Sequence, residues 1–219
     1  MDILQVAVLG GVLALDATSV GQFMTSRPLV AGALTGWVVG EPALGVTLGA
    51  VLELYLLVAF PTGGSRFPEG ATATVVAVGS SVGADVVGAM PLAIAAGLVW
   101  GQLGGVSITW LRRANGRIVL EPGAHELSPG RIVRVHLGAV LLDFFRGALV
   151  TASGVLVARL AIALFAGSWP LGAPASMGLL MIGAAVSLGI LLRDYGGYRK
   201  HRIMLVAGLA LGIVGARFL

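Results

Sequence analysis

Polar side chains are scarce in this chain, so the few that fall inside or beside apolar runs define where chemistry can occur. Glu53 lies within the apolar run from Leu44 to Phe60. A carboxylate at membrane depth is costly and marks a functional site by default. An ionised carboxylate accepts hydrogen bonds from several donors, which suits the hydroxyls of a polyol. The competing reading makes Glu53 half of a structural ion pair, or a buried acid kept protonated. Arg27 stands just before Pro28, where it either pairs with a carboxylate or snorkels toward headgroups. Gln22 lies in the polar piece Thr18 to Ser26. That piece is either a re-entrant turn lining a cavity or an interfacial loop, because irregular backbone survives at membrane depth only against protein or water. Thr62, Gly63 and Glu69 belong to a Pro- and Gly-rich stretch with turn chemistry. Asp143 and Arg146 are three residues apart, so they share a helix face and read as a neutralising pair.

Much chemistry is missing from the sequence. It has no Walker A sequence, dinucleotide fingerprint, HExxH or G-x-S-x-G motif. His125, His136 and His201 lack metal-ligand spacing, and there is no cysteine for thiol catalysis, thiolate metal binding or disulfides. No catalytic residue, metal or cofactor is expected. The net charge of +4 does not indicate a nucleic-acid partner, because the basic residues fall mainly in loops, as the positive-inside rule expects.

The elements that must position these residues are membrane helices. The chain has 219 residues, of which 57% are hydrophobic and 11% charged. Soluble domains carry about a quarter charged residues. Mean hydropathy is +0.97. Several runs approach the length of about 20 residues that crosses a bilayer. The expected fold is therefore an all-α polytopic membrane protein with about 6–8 membrane segments, some re-entrant or broken. A single membrane domain over residues 1–219 is expected, with a cytoplasmic loop at 112–134 that contains five arginines. Gly/Pro-interrupted pairs in both halves allow a weak inverted repeat. Gly32, Gly36 and Gly40 form one small-residue ridge, and Gly97, Gly101 and Gly105 another. Both read as helix-packing surfaces. Asp16 is either interfacial or a helix-breaking polar group, and Trp100 and Trp110 are interfacial anchors or packing residues. The start of the chain shows no cleavable signal peptide pattern. Taken alone, the charge rules place the C-terminus outside.

Residues 15–80 carry a resemblance. Phe23, Arg27-Pro28-Leu29, Gly40, Gly45, Gly49, Leu52-Glu53, Gly63, Pro68 and Glu69 form an ungapped pattern. His136, Gly138 and Asp143-Phe144 through Arg146-Gly147 extend it more loosely. This pattern resembles the membrane-embedded IIC subunit of the mannose/fructose/sorbose family of sugar phosphotransferase systems. The resemblance implies a bacterial inner-membrane permease subunit that binds a hexose or amino sugar and moves it inward for phosphorylation by IIB. It implies a IID membrane partner, IIA and IIB phosphocarriers, and a homo-oligomer of the IIC–IID complex. It maps sugar contacts onto Gln22, Arg27, Glu53, Thr62, Gly63 and Glu69. The chain departs from mannose-specific members where Gln22 replaces an acid, Ser26 a histidine and Pro61 an asparagine. The alternative function is a IIC-like facilitator, ion-coupled carrier, or regulatory or scaffold subunit without phosphoryl coupling.

Overall fold

The computed structural model describes residues 2–57, 59, 66–118 and 128–215. Regular structure among the described residues is helical throughout. In chain order the helices are α1 (Ile3–Thr18), α2 (Pro28–Val39), α3 (Pro42–Tyr55), α4 (Gly70–Ser81), α5 (Ala89–Ile118), α6 (Pro129–Phe165), α7 (Ala173–Asp194) and α8 (Tyr198–Gly215). A 3-10 turn at Ala166–Ser168 closes α6.

Helix lengths divide the molecule. Three helical stretches, Ala89–Arg117, Pro129–Ser168 and Ala173–Asp194, are long and apolar enough to cross a membrane. By contrast, α2 and α4 have only 12 residues each. At 1.5 Å per residue each reaches roughly 18 Å, well short of a hydrocarbon core of about 30 Å. These are the broken segments anticipated from sequence. Such short pieces are tolerated when protein surrounds their ends. Here α4 is the extreme case, with every residue from Ala71 to Ser81 buried.

Neighbouring helices pair antiparallel. Thr18 reaches Asp143, while Ala14 lies against Gly147 and Gly10 against Thr151, which sets α1 along α6. The α2–α3 hairpin turns at Gly40, whose φ of 83° is the left-handed conformation that glycine adopts without strain. Pro28 and Pro42 sit in the first turns of α2 and α3, where a missing N–H is harmless. Gly32 and Gly36 of the first ridge pack backbone to backbone on α3, whereas Gly40 meets nothing within 4 Å. A Cβ on Gly36 would lie 2.8 Å from Gly45 Cα, and one on Gly49 would lie 2.7 Å from Pro28 O. The second ridge lets α5 lie on α4, with a Cβ on Gly101 placed 3.0 Å from Ala73 Cβ. Two clusters of small apolar residues meet on α4. One contains Leu48, Leu52, Val78 and Ile94, and the other Val6, Leu13, Val75 and Val155.

Large apolar side chains outside this core point outward, including Leu149, Leu156 and Leu160 on α6 and Ile182 on α7. An apolar surface over long apolar helices is what a bilayer solvates. Trp110 is 70% exposed, as an interfacial anchor would be. Trp100 instead packs inside, covering Gly154 and donating to Ser153 Oγ at 3.4 Å.

Three expected boundaries move. The 112–134 loop is helical up to Ile118 and again from Pro129, because arginines are good helix formers and proline is favoured at a helix start. Residues 119–127, which include His125, lie outside the described residues. The helix expected over Leu44 to Phe60 ends at Tyr55. The last span, expected from Ile203 after the basic stretch Arg193 to Arg202, begins earlier, with α8 starting at Tyr198.

Gly45→Leu should prevent the α2–α3 backbones from meeting, since every nearby atom is backbone. Expected is a loss of about 3 kcal/mol or more, read as a lower melting midpoint and poor recovery of monodisperse protein. Gly178→Ala, with open space around it, should melt like the parent chain.

Candidate functional site

Among the described residues, two clusters of paired charges lie inside the helical body, apart from Asp16 and Arg159, which bind backbone. The deeper one centres on Arg146 of α6. Its Nη2 donates to Glu69 Oε1 at 2.8 Å and its Nη1 to Glu69 Oε2 at 2.9 Å, a bidentate pair. Nη1 also donates to Ser107 Oγ at 2.8 Å, and Nε to Asp143 Oδ1 at 2.9 Å. The other oxygen of Asp143 accepts from the hydroxyls of Thr18 and Ser19. Thr72 Oγ1 donates to Glu69 Oε2 at 2.8 Å. Glu69 and Asp143 are both buried, with 1% and 0% exposure. The cluster thus ties α1, α4, α5 and α6 together around two buried carboxylates.

Local structure explains how Glu69 gets there. It immediately precedes α4, so its charge sits at the positive end of the helix dipole. Its backbone N–H donates to Gly101 O at 2.8 Å, docking it on α5. A side chain at position 104 would collide with it, since a Cβ there lies 2.9 Å from Glu69 Cβ. Glycine at 104 is the space in which the Glu69 side chain lies.

The second cluster is shallower. Arg27 Nη2 pairs with Glu53 Oε1, and Leu29 N donates to Glu53 Oε2 at 3.2 Å. Glu53 therefore fixes both the arginine and the first turn of α2. Between α1 and α2 the backbone is irregular and held from within. Asp16 accepts from Phe23 N at 2.6 Å and Ser26 N at 2.8 Å. Gln22 and Met24 take positive φ values of 54° and 64°. Such values are uncommon outside glycine and cluster at functional loops.

This loop walls a cavity of about 590 Å³ together with the last turns of α5. Gln22, Ser26, Arg27 and Asp16 face it from one side, and Arg112 and Asn115 from the other. Asn115 Oδ1 is buried with no hydrogen-bond partner. A smaller pocket of about 90 Å³ adjoins it, sharing Ser26, Arg27 and Phe67 and reaching Glu69. Phe67 also lines a third cavity of about 600 Å³ with Arg66 and Gln102. One aromatic ring thus stands among three spaces. Small-molecule sites commonly measure roughly 300–1,000 Å³ and present a few converging polar groups.

The sequence-derived residues separate under this geometry. Gln22 and Arg27 line the main cavity. Glu69 reaches the smaller pocket but spends its oxygens on Arg146 and Thr72. Glu53 lies behind Arg27 as its counter-charge. Pro61, Thr62 and Gly63 lie outside the described residues. Asp143 and Arg146 do pair, as their spacing predicts, but Arg146 also grips Glu69 from 77 residues away. Asp16 and Asn115 were not expected at the cavity, whereas Phe67 falls in the Pro61 to Glu69 loop onto which the family resemblance maps sugar contact. Only Asp16, a lone acid at the end of an apolar run, carries a signal that could have marked it.

Long apolar helices packed with shorter ones around buried ion pairs define a multi-pass α-helical membrane protein. Residues 1–193 match the family model described as the PTS system sorbose-specific IIC component, and the chain belongs to that family. No match is found among curated proteins. Two solved structures share the fold over 99% of this chain and 92% of their own. One, described as the structure of a membrane protein, has a TM-score of 0.71 at 18% identity. The other, the mannose transporter ManYZ in complex with a microcin, has a TM-score of 0.62 at 17% identity.

Arg146→Met leaves two buried carboxylates without their shared cation. Removing one partner of a buried pair costs about 3–5 kcal/mol. Thermal melts in detergent should show a large drop for Arg146→Met. Arg146→Met/Glu69→Gln should recover part of it, and equal melting of the single and double variants would refute the pairing as a stabilising element.

Proposed function

We propose that this chain is the sugar-translocating IIC subunit of a mannose-type phosphoenolpyruvate-dependent phosphotransferase system. The observation that carries the reading is the cavity of about 590 Å³ where Gln22, Arg27 and the unpartnered Asn115 carbonyl converge. Amide and guanidinium groups there offer both donors and acceptors, as a polyol requires. Family membership supports a sugar as substrate, and so does the likeness to a solved mannose transporter. The proposed substrate is a hexose or amino sugar.

In this reading Arg27 and Gln22 contact sugar hydroxyls, while Glu53 orients Arg27 and accepts from a hydroxyl with its remaining lone pairs. Glu69 borders the inner pocket, and Thr62 and Gly63 keep the roles implied by the family pattern. A core carrying Glu53 moves against the rest and releases sugar inward, where IIB phosphorylates it. A charged product does not recross lipid, so transport becomes one-way. The working assembly comprises this single membrane domain, a IID membrane subunit and IIA and IIB phosphocarriers. It forms a homo-oligomer of the IIC–IID complex in a bacterial inner membrane, with residues 112–134 on the cytoplasmic side.

A second reading has one observation in its favour. Glu53 and Glu69 both pair with arginine, which is also what a IIC-like facilitator, ion-coupled carrier or scaffold without phosphoryl coupling would need.

The test uses membranes containing this chain with its candidate IID and soluble phosphotransferase components. The readout is phosphoenolpyruvate-dependent phosphorylation of a labelled hexose and amino-sugar panel. Expected is phosphorylation of one sugar, reduced about tenfold or more by Glu53→Gln and by Gln22→Leu, the scale of a lost charged or buried hydrogen bond. Activity indifferent to both substitutions would remove these residues from the site. No phosphorylation by a verified complex, with sugar uptake retained, would select the second reading.

A further inference from the structure

Across Leu111, which also walls the proposed sugar cavity, α5 and α6 enclose a groove of about 520 Å³. Leu103, Val106, Trp110, Ala114 and Leu142 line it, with Ser107 and Arg146 at its floor. The two helices run antiparallel there, since Trp100 bonds Ser153 and Ser107 bonds Arg146. Their cytoplasmic-type ends therefore emerge side by side. From Ala89 to Trp110 α5 has 22 residues, roughly 33 Å, which matches a hydrocarbon core of about 30 Å. Exposed Trp110 then marks the interface, and the residues beyond it lie among headgroups.

Those residues are basic and aligned with the groove. Arg113 and Arg117 follow Trp110 by three and seven residues, on its helix face. Arg131 precedes Leu142 by eleven residues, three turns along the same face of α6. All three are exposed. No acid occurs among the described residues 112–118 and 128–142. Apolar groove and cationic mouth are thus continuous, and together they match an amphiphile with a negative head.

We propose that this groove holds an acyl chain of an anionic phospholipid, whose phosphate is received by Arg113, Arg117 and Arg131. The site does not depend on the sugar reading. Its floor is the outer side of Arg146, so a bound acyl chain keeps water from the buried ion cluster.

The absence of native cysteine allows a single-label test. Full-length protein carrying Leu103→Cys, labelled with bimane, is reconstituted in phosphatidylcholine bilayers with increasing phosphatidylglycerol, one lipid brominated at a time. Leu156→Cys on the exposed outer face of α6 serves as the control position. Expected is preferential quenching by brominated phosphatidylglycerol at the Leu103→Cys label and none at the control. Arg113→Gln/Arg117→Gln should reduce that preference by about fivefold per arginine, with unchanged thermal melts because both side chains are exposed. Equal preference at both positions, or a preference indifferent to the arginine substitutions, would overturn the site. A Leu103→Cys label shielded from both lipids while the control is quenched would assign the groove to a protein neighbour, and would overturn it too.

Discussion

A guanidinium shared by two buried carboxylates holds this molecule together at depth. Arg146 engages Glu69 through both terminal nitrogens and Asp143 through Nε. Each ion by itself would be expensive to bury, and the three are compatible with a dry interior only in this geometry. The hydroxyls of Thr18, Ser19, Thr72 and Ser107 complete the shell. Much of the surrounding structure follows from that requirement. Glycine at position 104 leaves room for Glu69, and α1 ends where Thr18 and Ser19 can reach Asp143.

Short helices are the second consequence. α4 is buried among its neighbours, whereas α2 and α3 pack on each other and on α4, with α3 reaching α7 and their connecting turn at Gly40 exposed. Their irregular connections are stabilised by side chains acting as backbone partners. Asp16 binds two amides of the 19–27 loop, and Glu41 Oε1 accepts from Gly83 N at 3.0 Å. This creates a polar cavity inside an apolar protein. Irregular backbone is possible at this depth only where protein or a water-filled space receives it, so the cavity and the broken helices have a common cause.

The molecule also separates its two kinds of charge. Two acid–arginine pairs lie within, Glu53 with Arg27 and Glu69 with Arg146, while Asp2, Asp85 and the Arg193–Asp194 pair are exposed. Exposed arginines gather where α5 and α6 leave the apolar zone. Internal charges are balanced by protein, whereas external ones are left to solvent, headgroups or partners. The same arginine type therefore does different work according to whether a carboxylate lies within reach.

Much was legible in the sequence because it depends on local composition or spacing. Apolar runs located the helices, since bilayer thickness sets a length scale that a linear sequence reveals. The Gly32–Gly36–Gly40 ridge predicted close packing, which Gly32 and Gly36 show while Gly40 makes the turn, and Asp143 with Arg146 a paired face. Two facts were beyond its reach. Polar composition over 112–134 suggested a loop, yet the helices continue into it, because solvated arginines do not interrupt a helix. The sequence also left open which acid meets which arginine. Tertiary structure paired Arg27 with Glu53 and gave Arg146 a second carboxylate, 77 residues distant. Helical periodicity reports neighbours one turn away, whereas the partner of a buried charge is chosen by how helices pack in three dimensions.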